Sequence, residues 1–247
     1  MASSTMPALF EQPPRVVPDV LPRLYLYAHC PFCVRVQTAL GLKNIKHELV
    51  FLANDDVATP TALVGKKVVP ILEIGRPGQP GHELMNESLD IIKRIDEDPA
   101  FGPTNLIKPA TGRQDIDAWI KESKELNRRL ISPRYVRVPL PEFFFAEARA
   151  AYIRNHAIPE PGDYDTNFAM SAELLPQMNA LMAKLDALVF CEQHCSEGGV
   201  SMDDLVLFSR LRSLELLKGA VWPPKVKAYM DHFHQLTDIP SFAPMAL

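Results

Sequence analysis

Cysteine is scarce. The 247 residues hold four, Cys30, Cys33, Cys191 and Cys195, too few to staple a secreted scaffold of this size. No apolar run approaches the roughly 18 residues that a membrane-spanning helix needs. No basic segment followed by an apolar core opens the chain as a secretory signal would. Arg15 and Arg23 are the only basic residues before position 24, a poor match to an organelle transit sequence. Positive charge is not in excess either: the formal net charge is -4, and acidic residues outnumber basic ones on both sides of Asp98, which argues against a nucleic-acid footprint. There is no internal repeat and no low-complexity tract. These absences together point to a cytoplasmic protein that engages neither nucleic acid nor membrane.

What is present is an ordinary globular composition, 47% apolar and 23% charged, in a length that suits one large or two modest domains. Residues 1–22 carry Pro7, Pro13, Pro14, Pro18 and Pro22, a spacing that no helix or central strand survives, and read as a flexible leader. Residues 23–98 then give an α/β pattern. Apolar runs at 24–28, 47–52, 68–74 and 83–85 read as strands, and helical periodicity follows Cys33, Thr59 and Ser88. The order is β-α-β-α-β-β-α, which makes the first two strands parallel and the last two a hairpin. Residues 99–110 are a proline-marked linker. Residues 111–247 lack strand signals and carry amphipathic segments near 113–131, 142–155, 171–189, 202–217 and 225–235, so the second domain is expected to be all-helical.

Chemistry concentrates in Cys30-Pro31-Phe32-Cys33. The motif leaves a buried strand and opens a helix, the context that makes a C-x-x-C match informative. Unpaired N–H groups and the helix dipole favour a thiolate there. Cys30 precedes the first turn and is expected to be the exposed, acidified nucleophile, with Cys33 one turn inside as the resolving thiol. Pro31 suits the first helical position. The alternatives are an inert buried pair, or half of a zinc site completed by Cys191 and Cys195. Val69-Pro70 lies within an apparent core strand, where proline cannot donate to the ladder. It reads equally as an edge proline or as a cis bond that frees the Val69 backbone for an extended ligand. Glu87 and Ser88 begin the next helix. The Ser88 hydroxyl and helix N–H groups can hold a carboxylate and Glu87 an ammonium, which matches the γ-glutamyl end of glutathione. Taken alone, they also read as a simple helix start.

These features together resemble the glutaredoxins, and more closely the glutathione-transferase-fold branch, the glutaredoxin 2 family. The resemblance rests on His29-Cys30-Pro31-Phe32-Cys33, Gly41 to Ile45, Asn54-Asp55-Asp56 with Thr59-Pro60-Thr61, Val69-Pro70-Ile71-Leu72, Glu87-Ser88 and Asp90-Ile91. In the second half it rests on Asp203-Asp204, Leu207-Phe208, Leu211-Arg212 and Trp222-Pro223. It implies a thioredoxin-like domain followed by a helical domain, and a monomer with no tightly bound cofactor or metal. It also implies glutathione as co-substrate, and glutathionylated or disulfide-bonded proteins as partners. Catalysis would fall to Cys30 and Cys33, and glutathione binding to Pro31, Phe32, Val69, Pro70, Glu87 and Ser88. Phe32 stands where the family usually has tyrosine, which removes one hydroxyl and neither thiol. Rival readings are a cysteine-type glutathione transferase, a chloride intracellular channel-like protein and a glutathione-bridged iron–sulfur carrier.

Other motifs carry less. Ser201-x-x-Asp204, flanked by Val200 and Leu205, is a capping box with a hydrophobic staple. Cys191 to Cys195 offers two thiols and His194 without an obvious fourth metal ligand. His232 and His234 point to different sides of a helix. Among Arg128, Arg129, Arg134 and Arg137, Arg134 would attract an anion if its helix walled a cleft.

Overall fold

The computed structural model describes residues 10–158 and 162–247. The N-terminal half runs β1 (Arg23–Leu26), α1 (Pro31–Leu42), β2 (Glu48–Phe51), α2 (Ala58–Val64), β3 (Ile71–Ile74), β4 (Glu83–Asn86) and α3 (Ser88–Glu97). The sheet order is β2-β1-β3-β4, with β1 parallel to β2 and antiparallel to β3, and β3 and β4 forming the hairpin. Leu24 and Leu26 alternate with Arg23 and Tyr25 and face the core. The Tyr25 hydroxyl donates to Glu73 of the neighbouring strand at 2.9 Å. The Val69–Pro70 peptide is cis, and β3 begins at Ile71, so the 68–74 run is strand only in its second half.

Short 3-10 turns at Pro99–Phe101 and Pro141–Phe143 precede and follow α4 (Gln114–Tyr135). Then come α5 (Ala146–Asn155), α6 (Tyr164–Ala169), α7 (Ser171–Leu188), α8 (Met202–Leu214) and α9 (Pro224–Thr237). The expected all-helical half is what forms. α4 runs past its sequence signal through Pro133, at the cost of one helical N–H bond, while Leu130, Ile131 and Tyr135 are buried.

α1 is nearly enclosed: Cys33 to Leu40 are all buried, and the helix packs on α3, α8 and α9. An all-round buried helix needs no polar face, which is why its periodicity is weak in sequence. At Gly41 the backbones meet: a Cβ there would fall 2.6 Å from the Thr237 Cα of α9. The two halves therefore share one apolar core. The capping box forms at α8, where the buried Asp204 carboxylate accepts the Ser201 N–H at 2.8 Å.

The expected flexible leader needs correction. Residues 1–9 lie outside the described residues, but from Gln12 onward the chain is tied down. Val16 bridges Ile45, its N–H donating to Asn44 at 2.9 Å and its carbonyl accepting from Lys46 at 2.8 Å. Gln12 donates to the carbonyls of Gly41 and Leu236. Gly102 is needed where Val16 crosses: its φ is +88° and a Cβ would meet Val16 Cγ2 at 2.9 Å. The prolines exclude regular structure but not pairing as an extended arm.

Candidate active site

Cys30 is the N-cap of α1, in extended conformation, with Pro31 as the first helical residue. β1 ends four residues earlier, and the turn is closed by the Cys30 N–H donating to Tyr27 at 3.2 Å. Cys30 is partly exposed and Cys33 fully buried. The Cys33 thiol donating to its sulfur, outweighing burial and helped by His29 and the backbone N–H groups of Cys33 and Phe32, brings Cys30 down to about 6. Cys33 moves the other way: burial, its bond to Cys30 and the Cys30 charge push it well up. One nucleophile is ionised at neutral pH and its neighbour holds a proton in reserve.

The sulfur sits at the floor of a cleft of about 420 Å³ between the two halves, a size that suits a small-molecule ligand. His29 to Phe32 and Val69 form one wall, with Asn54 beside them. Trp119, Lys124 and Arg128 of α4, with Arg210 of α8, form the other. Phe32 is 46% exposed, so the missing tyrosine hydroxyl would have faced solvent at the mouth.

The expected ligand residues divide. Pro31, Phe32 and Val69 line this cleft, whereas Pro70, Glu87 and Ser88 are outside its lining. Pro70 is buried behind Val69. Glu87 is the N-cap of α3, held at φ +72°, and its exposed carboxylate accepts from Lys66 at 3.3 Å. Ser88 is the first helical residue and buried. Arg134 does not wall the cleft: it is buried and donates to Leu130, Ser171 and Leu247. Arg128, one turn and a half earlier, takes that position.

One feature escaped the sequence. Glu142, in the turn after α4, accepts from the His29 N–H at 2.9 Å and faces His29 Nδ1 at 2.6 Å through the same Oε1. Its carbonyl accepts the Asn54 N–H at 2.9 Å. The His29 ring is packed among Tyr27, Tyr135, Phe143 and Tyr152, with centroids 4.9 to 5.7 Å away. Burial would raise the Glu142 carboxyl, but the bonds to His29 leave it lowered. A residue of the helical half thus fixes the loop that carries the nucleophile. No local signal marks Glu142, because its partner is 113 positions away.

The other cysteines are not part of this site. Cys195 is buried, its N–H donates to Asp204 at 2.6 Å, and burial together with the Asp204 charge pushes its thiol up. Among the described residues no group of three His, Cys, Asp or Glu could hold a metal, and no helix is long and apolar enough to cross a membrane.

Comparison with known proteins agrees with this geometry. Residues 115–246 match the family model "Glutaredoxin 2, C terminal domain", and residues 24–104 match "Glutathione S-transferase, N-terminal domain". Glutaredoxin 2 of Escherichia coli strain K12 is 33% identical over 226 residues, covering 91% of this chain and 100% of the relative. The solved structure of Salmonella typhimurium glutaredoxin 2 in complex with glutathione superposes with a TM-score of 0.81 at 34% identity, covering 92% of this chain and 99% of that one. The β-etherase LigF of Sphingobium, at 16% identity and a TM-score of 0.54, shares the fold alone. With a dithiol at the mouth of a thioredoxin-type domain, backed by a helical half that matches along its length, the chain belongs to the glutaredoxin 2 family of glutathione-dependent oxidoreductases.

Proposed function

We propose that this chain, acting as a monomer in the cytoplasm, reduces glutathione mixed disulfides and protein disulfides with glutathione as electron donor. The observation that carries the reading is Cys30 at the start of α1, lining the cleft with the buried Cys33 one turn behind it, a placement that brings Cys30 down to about 6 and pushes Cys33 up. The Cys30 thiolate attacks the glutathionyl sulfur of a mixed disulfide. A Cys30–glutathione disulfide forms and the substrate leaves as a thiolate. A second glutathione thiolate attacks that glutathionyl sulfur, releasing glutathione disulfide and the Cys30 thiolate. With a protein disulfide, Cys30 joins one substrate sulfur and the other leaves. That removes the charge which helped hold the Cys33 proton. Cys33, its proton passed to the departed thiolate, then attacks the Cys30 sulfur and expels the substrate's second thiolate, and two glutathiones reduce the resulting internal disulfide and leave as glutathione disulfide. The backbone of Val69 and the α3 start at Glu87 and Ser88 are the proposed anchors for the γ-glutamyl end. Residues 99–110 are the proposed junction between domains 23–98 and 111–247.

The test measures both activities in two variants. Cys30→Ser is expected to lose both. Cys33→Ser is expected to lose protein-disulfide reduction and keep deglutathionylation. An active Cys30→Ser, or a Cys33→Ser inactive toward glutathionylated substrate, contradicts the mechanism. The runner-up, a cysteine-type glutathione transferase, would instead turn over a model electrophile faster than a glutathione mixed disulfide.

A further inference from the structure

The cleft is cationic in a chain of net charge -4. Among its described lining residues Lys124, Arg128 and Arg210 are basic and no Asp or Glu is present. Beside it, Arg35 of α1 is 9% exposed and its guanidinium carbon lies 4.9 Å from the Phe32 ring centroid. Arg210 projects from α8, which packs on α1. In both arginines Nε is sealed from solvent without a hydrogen-bond partner. Neither guanidinium is paired with a carboxylate among the described residues. Burial first, and then the Arg210 charge, push Arg35 down to about 10, while the Cys30 charge acts in the other direction.

Nearby arginines show what a completed site looks like. Arg212, two positions on, is buried but donates to the carbonyls of Ala28 at 2.7 Å and Pro240 at 3.1 Å. Arg134 likewise spends its donors on two carbonyls and a hydroxyl. At Nε neither Arg35 nor Arg210 has a compensating acceptor. An anion between them would supply it.

We propose that Arg35 and Arg210 form a carboxylate-binding subsite on the α1–α8 flank of Cys30, which recognises an acidic group on the disulfide partner. The proposal rests on the reading of Cys30 as the nucleophile. The subsite is built on α1 and α8, elements other than those proposed above for the γ-glutamyl end. Guanidinium forks match a carboxylate in two parallel bonds, and the Phe32 ring beneath Arg35 keeps its plane in place. The carboxylate has two sources: an acidic side chain beside the disulfide cysteine of a polypeptide, or a carboxylate of the reducing glutathione.

The experiment compares two synthetic peptides, each glutathionylated at a single cysteine, one with Glu beside that cysteine and one with Gln. Substrates are the two peptides; proteins are the full chain and its Arg210→Gln, Arg210→Lys and Arg35→Gln variants. The KM for reduced glutathione is measured alongside. Arg210 is only partly buried, so Arg210→Gln decides the matter even should Arg35→Gln fail to fold. A polypeptide source predicts that wild type prefers the Glu peptide by about tenfold in kcat/KM, the scale of one charge-assisted bond pair. Arg210→Gln would lose that preference and Arg210→Lys would keep part of it. A glutathione source predicts instead that Arg210→Gln raises the glutathione KM about fivefold for either peptide. If both quantities stay within about twofold of wild type in Arg210→Gln, the subsite is overturned. Alkylation of Cys30 by iodoacetamide against pH separates the two claims: a wild-type Cys30 that does not react as a thiolate near neutral pH overturns the nucleophile reading itself.

Discussion

Cys30 and Cys195 are both free thiols, each with a second cysteine three or four positions away, yet their surroundings act in opposite directions. Cys30 begins a helix, so N–H groups, His29 and the Cys33 thiol all converge on its sulfur. Cys195 follows a helix end and lies behind the Asp204 carboxylate, and what its backbone donates to that carboxylate is structural. The spacing of two cysteines therefore says little; the end of the helix they occupy, and the sign of the nearest charge, decide whether a sulfur ionises.

The largest expected effect separates the pairs outright. Cys30→Ser should lower turnover of a glutathione mixed disulfide by about a thousandfold or more, whereas Cys191→Ser and Cys195→Ser should stay within about twofold of wild type. Asp204→Ala should reverse the picture. It leaves the N–H groups of Cys195 and Ser201 without their acceptor and should cost about 2–4 kcal/mol in urea unfolding, with Cys30 alkylation unchanged. A change near neither pair bounds the contrast: deleting residues 1–21 removes the Val16 bridge and the Phe10 packing, and should cost about 2–3 kcal/mol of stability with kcat retained. The smallest effect is expected for Ser88→Ala, which should raise the KM for glutathione about two- to threefold and leave Cys30 alkylation as it is.

Much of this was legible in sequence because the signals are local. The dithiol between a strand and a helix, the 201–204 capping box and the long amphipathic segments each lie within one turn or one element. The structure adds what long-range packing creates. α6 has six residues, too few to show a period, and only the Asp163 cap, which accepts the Thr166 N–H at 2.8 Å, could have marked it. Glu142 holds the His29 loop, and Arg210 lines the cleft, from elements remote in sequence. Among basic side chains the sequence pointed to Arg134, one of a cluster, but helix rotation puts Arg128 on the cleft and buries Arg134. The prolines of 10–22 removed regular structure and concealed an arm that pairs with residues 44–46.

Acidification of Cys30 has a pH signature in both stability and reactivity. Between the native value of about 6 and the roughly 8.5 of a thiol in the unfolded chain, the native state binds fewer protons. The reduced protein should therefore gain stability over Cys30→Ser as pH rises through that window, by at most about 1.4 kcal/mol per pH unit, and lose the gain as pH falls through about 6. The decisive measurement is the rate of iodoacetamide alkylation of the reduced protein against pH, with the modified residue identified by mass. The expected result is a single fast-reacting thiol, Cys30, with a midpoint near 6 and no modification of Cys195 in the native state. A midpoint near 8.5, or faster reaction at Cys33, Cys191 or Cys195, would contradict it.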